Sequence, residues 1–113
     1  MALLTAVVLG NTATLSAPAN VANGDRISGG DIANGAILEV HNGSGGSITV
    51  TIVDPGTTAA GNATVSPQTA GLFTVAAGAT KRIKPSSVFV SNATAEAVVN
   101  YSSPTSVTYE LYR

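Results

Sequence analysis

Residues 37–56 read ILEVHNGSGGSITVTIVDPG. Ile48, Val50 and Ile52 alternate with Ser47, Thr49 and Thr51, while Leu38 and Val40 alternate with Glu39 and His41. A period of two marks a strand with one face on a core and the other in water. The β-branched residues that fill these runs are stiff in a helix and suit a pleated surface. Between the runs, Asn42-Gly43-Ser44-Gly45-Gly46 predicts a reversal whose residues supply positive φ angles, so residues 37–53 read as a β-hairpin. Asp54-Pro55-Gly56 ends the second strand as a turn.

The same residue types continue in both directions. Strands are predicted at Leu3–Leu9, Ala13–Ser16, Gly71–Ala76, Thr80–Lys84, Ser87–Val90, Ala95–Tyr101 and Val107–Tyr112. Ala77-Gly78 and Lys84-Pro85-Ser86 read as tight turns. In the last strand Val107, Tyr109 and Leu111 share one face, and Thr108, Glu110 and Tyr112 the other. No stretch has helical periodicity. Residues 20–35, rich in Asn, Gly and Asp, read as an irregular connection of Greek-key type. Short strands at regular spacing between Gly, Pro and Asn predict an all-β, two-sheet β-sandwich, jelly-roll-like with an immunoglobulin-like sandwich as alternative. The 113 residues read as a single domain, 1–113, with an N-terminal strand or arm over about residues 1–10.

Composition argues against catalysis. There is no Cys, no Trp, one His, and only five basic and six acidic side chains. Enzymes draw their reactive groups from such residues, held in tuned environments. Without Cys there is neither a disulfide framework nor a thiolate metal site. A net charge of -1 lacks the basic field of a nucleic-acid binder. The charged fraction of 10% is low against the ~25% usual in soluble domains, which predicts a surface partly covered by partners.

Ala2–Leu9 is apolar except for Thr5. No Lys or Arg precedes it, and eight residues make a marginal signal-peptide core. It is also far short of the ~20 residues of a membrane helix, so it reads as a strand or docked arm and no membrane is expected. Its apolar residues occur on both alternating faces, which predicts cover on both sides, by the domain's core and by a partner.

Four groups invite a chemical reading. Asn23, Asp25, Asp31 and Asn34 offer oxygens to a cation, but their spacing is not that of a Ca²⁺ loop and Asx residues in turns bond their own backbone, so no metal is expected. His41 stands alone on a hydrophilic strand face beside Glu39. Lys81, Arg82 and Lys84 form the basic cluster, either a solvated strand edge or a docking patch. The Asn-x-Ser/Thr matches at Asn42, Asn62, Asn92 and Asn100 read as chance in a chain rich in these residues. No catalytic site and no cofactor are expected.

Three segments carry a family resemblance: Leu38–Gly56, Phe73–Pro85 (FTVAAGATKRIKP) and Val98–Leu111 (VVNYSSPTSVTYEL). Together they resemble small all-β head decoration or minor capsid proteins of tailed bacteriophages. The family style often has Pro in the Ala-Ala-Gly turn, where this chain has Ala76-Ala77. The resemblance implies a non-enzymatic virion protein, made in the host cytoplasm and placed on the capsid exterior. It would bind the major capsid protein of an assembled shell, as a homo-oligomer with a trimer favoured. Contacts with partners are then expected from Leu3, Leu4 and Val7 in the N-terminal segment and from Lys81, Arg82 and Lys84. The alternative is a carbohydrate-binding or adhesin-type module of a tail fibre or cell surface.

Overall fold

In the computed structural model, residues 3–8, 18–53, 72–91 and 94–113 are described. Among them are eight strands: β1 (Ala19–Asn20), β2 (Asp25–Ser28), β3 (Ile37–Asn42), β4 (Ile48–Ile52), β5 (Leu72–Val75), β6 (Thr80–Ile83), β7 (Glu96–Tyr101) and β8 (Val107–Tyr112). They form two antiparallel four-stranded sheets, β1-β8-β3-β6 and β2-β7-β4-β5. The protein is an all-β two-sheet sandwich.

The order has a simple origin. β1 pairs with β8, β2 with β7, β3 with β6 and β4 with β5. The chain is therefore one long hairpin whose successive rungs fall alternately into the two sheets. Pairing of β3 with β8 and of β4 with β7 then closes each sheet. This is the jelly-roll arrangement of two Greek keys. An immunoglobulin-like sandwich would set more sequence neighbours side by side, whereas here only β4 and β5 are adjacent in both sequence and sheet.

The alternation read from the sequence points the strands correctly. Leu38, Val40, Val50, Ile52, Val99, Val107 and Leu111 are fully buried between the sheets, joined by Ile27 of β2 and Val75 of β5. Thr49 and Thr51 are half-buried on the opposite face of β4. Burying one such aliphatic side chain contributes about 1.5–3 kcal/mol, so these residues supply the main drive to fold.

The pairing of the first two runs differs from expectation. β3 and β4 lie in different sheets, so residues 43–47 form an arch between sheets and not a hairpin turn. Gly43, Gly45 and Gly46 accordingly adopt no positive φ; that conformation is found at Gly24, Gly35 and Gly78. Alternation specifies which face a residue occupies, but it is silent on which strand lies alongside.

Two further expectations are corrected. Ser87–Val90 is not a strand: Ser87–Phe89 forms a 3₁₀ turn, with the Ser86 hydroxyl accepting from the Val88 amide and Phe89 buried. Residues 20–35 are not irregular, for they hold β2 and a short helix α1 (Gly29–Ala33). Two glycines open that helix against their propensity, and at Gly29 the reason is crowding. A Cβ on Gly29 would stand 2.8 Å from the Ala95 carbonyl oxygen, which also accepts the Gly29 amide. The strand expected at Ala13–Ser16 and the Asp54-Pro55-Gly56 turn lie outside the described residues, as do Asn62 and Asn92.

Candidate binding surface

The N-terminal segment ties the two sheets together. The Leu4 amide donates to the Arg26 carbonyl on β2, and the Val7 amide donates to the Leu111 carbonyl on β8. Leu3 and Val7 make parallel bridges to Arg26 and Tyr112, so a few residues pass from the edge of one sheet to the edge of the other. Leu4 is 4% exposed and belongs to the core. Leu3 and Val8 are 49% and 58% exposed.

The outer face of the β1-β8-β3-β6 sheet gathers the remaining polar groups into transverse rows. Val7 bridges Tyr112, and Tyr112 pairs with Ile37. Since paired residues project from the same face, Val7, Tyr112 and Ile37 form an apolar row. Lys84, the exposed residue after β6, stands at the end of that row, with Cε and Nζ 3.6 Å from where a Cβ on Gly35 would be. The next row is Glu110, Glu39 and Arg82, in register across β8, β3 and β6. The third is Asn20, Thr108, His41 and Thr80.

Electrostatics on this face is uneven. The Arg82 Nε donates to Glu39 Oε2 at 2.8 Å. His41 Nδ1 and Thr80 Oγ1 share a hydrogen bond of 2.8 Å. Arg26 pairs with Glu96 and Arg113 with Asp31, each at 3.1 Å, so all three arginines are engaged within the chain. Among the described residues Glu110, Lys81 and Lys84 have no ion pair. Lys81 is opposite Val40 and so stands on the core side of the β6 edge, where an exposed inward-aimed charge blunts pairing with another strand. A shallow depression on the same sheet is lined by Pro18, Glu39, His41, Thr108, Tyr109 and Glu110.

The six residues expected at a partner contact are therefore dispersed. Val7 and Lys84 flank one row, Arg82 belongs to the next, Lys81 guards the edge, Leu3 lies on the other sheet and Leu4 is internal. Ile37, Tyr112 and Glu110 joined the surface without having been singled out. Their outward direction was readable from alternation, but their adjacency depends on pairing between β3 and β8.

The Asx-rich segment is engaged in holding turns. Asn23 Oδ1 accepts from the Tyr101 amide at 2.6 Å, and Asp25 Oδ2 from the Ala22 amide at 2.9 Å. Asn34 Nδ2 donates to the Gly30 carbonyl, and Asp31 faces Arg113. These four side chains serve different partners. Among the described residues no three His, Asp or Glu side chains are grouped as a metal ion would require. Near them, burial pushes the Tyr101 hydroxyl well above the ordinary tyrosine range, with Asp25 and Tyr109 adding to the effect. Burial and Asp25 raise Tyr109 in the same direction.

Comparison with protein-family models, with curated proteins and with solved structures finds no match.

Proposed function

We propose that this protein is a non-enzymatic structural domain that binds and stabilises an assembled phage capsid, with the major capsid protein as its partner and the virion exterior as its place. One observation carries the reading: the N-terminal segment has Leu4 in the core but leaves Leu3 and Val8 49% and 58% exposed. Large apolar side chains left exposed on a segment anchored in the core are suited to cover by a partner. The jelly roll is an architecture used in viral shells, which supports the reading by analogy of fold alone. The mechanism is adhesive. Bridging neighbouring shell subunits adds interfacial free energy to the assembled state and to no other.

The test is co-sedimentation of the purified protein with empty procapsids, with expanded heads and with free capsid subunits. Binding to assembled shells and not to free subunits is expected. The Leu3→Ser, Val8→Ser double variant should keep its fold and lose that binding. Absence of binding to either kind of shell overturns the proposal.

The second reading, a carbohydrate-binding or adhesin-type module, is favoured by the depression at Pro18, where two carboxylates, an imidazole and a hydroxyl line one hollow. Binding to a glycan array that is lost in Glu110→Ala, together with indifference to shells, would establish it instead.

A further inference from the structure

We infer that the outer face of the β1-β8-β3-β6 sheet is a self-association surface on which a second copy of this chain sits face to face, Lys84 of each copy meeting Glu110 of the other. Three observations combine. The three arginines are neutralised inside the chain, which leaves Glu110 and Lys84, of opposite sign, unpaired on one face. Glu110 also stands directly opposite Glu39, whose only ion pair is Arg82, so the centre of the face has a surplus negative charge. Ile37, 39% exposed, lies beside Tyr112 in the row that ends at Lys84.

The placement is self-complementary. Glu110 is on β8 and Lys84 follows β6, one strand to either side of β3. The two positions thus stand about 12 Å apart across the face, from two strand spacings of ~4.8 Å and a two-residue offset of ~6.8 Å. A two-fold axis lying in the interface and crossing β3 near Ile37 exchanges the two positions. Each Lys84 then faces the partner's Glu110, and the apolar rows of the two copies oppose one another. A face of roughly 20 by 20 Å is small among specific interfaces, so the pairing is weak in solution and favoured where copies are crowded. The inference stands whether the larger partner is a shell or a glycan, because it concerns only contacts between copies.

Sedimentation equilibrium of the intact chain over a range of concentration and salt tests it. A monomer–dimer equilibrium that weakens as salt rises is expected. Glu110→Lys and Lys84→Glu, each placing like charges together twice per dimer, should each weaken it at least about tenfold (~1.4 kcal/mol). The double swap should restore association to near the original. Glu110→Lys also relieves the Glu39 repulsion, so its monomer should melt no lower than the parent, which separates loss of pairing from loss of fold. A chain that stays monomeric to millimolar concentration, a dimer indifferent to both reversals, or a trimer would each overturn the inference.

Discussion

Asn42 Nδ2 donates to the Val75 carbonyl at 3.0 Å, tying the end of β3 to the end of β5 across the two sheets. The same amide donates to the Gly46 carbonyl at 2.8 Å, and its oxygen accepts from the Ser44 amide and hydroxyl at 3.0 and 2.6 Å. The Asn42 backbone bonds Ala79 and Gly78. One fully buried side chain thereby fastens both arches, β3 to β4 and β5 to β6, at their common corner.

Asn42→Ala should consequently be among the most damaging single changes. It removes the side-chain bonds to the Val75 and Gly46 carbonyls and undoes the Ser44 turn. Each unmet buried polar group costs about 1–3 kcal/mol, so a loss of roughly 3 kcal/mol or more is expected in urea unfolding. A loss below about 1 kcal/mol would show that the corner holds without it.

The glycines of residues 43–46 are unequal. A Cβ on Gly43 would stand 2.8 Å from the Ser106 carbonyl oxygen, to which the Gly43 amide also donates, whereas Gly45 and Gly46 have nothing within 4 Å. Gly43→Ala should therefore destabilise by about 1–3 kcal/mol. Gly45→Ala should be neutral or slightly stabilising, since it restricts the unfolded chain. Thermal melts of the two variants check this, and equal effects would contradict it.

Depth in the core should sort substitutions on β4 and in the N-terminal segment. Ile52→Ala and Leu4→Ala should cost about 2–5 kcal/mol each, and Val50→Ala somewhat less. Thr49→Ala, Thr51→Ala and Leu3→Ala should cost about 1 kcal/mol or less. Equal losses on both sides would mean that the register is different.

Stability should fall on the alkaline side through Tyr101 and Tyr109. The folded state keeps the Tyr101 and Tyr109 protons at a pH where the unfolded chain releases them, because burial and Asp25 raise both. A raised pKa contributes stability fully present below the unfolded value of about 10 and lost as pH climbs towards the folded one. Melting temperature followed from pH ~8 to ~12 should be level at first and then drop. The Tyr101 hydroxyl is buried without a hydrogen-bond partner. Tyr101→Phe should thus stay within about 1 kcal/mol of the parent at neutral pH and flatten the alkaline limb. An unchanged alkaline slope in that variant would assign the loss to other groups.

Much of the fold was legible in local chemistry. Alternation along Ile48–Ile52 and Val107–Tyr112 specified the buried face, because a side chain's side of a strand follows from its own parity. β-branched residues between Gly, Pro and Asn specified the all-β class. Tertiary structure alone decided the rest. Asn42-Gly43 has the composition of a hairpin turn, yet the long-range partners β6 and β8 of β3 make it an arch, with Asn42 buried as a fastener. Gly29, at the start of α1, is crowded by the Ala95 carbonyl that only the folded chain brings there, whereas the Ser86 cap of Ser87–Phe89 is a local contact. The candidate surface follows the same division. The outward directions of Glu39, Glu110 and Ile37 are properties of their strands, but their placement beside one another comes from pairing across some seventy residues, which no local pattern encodes.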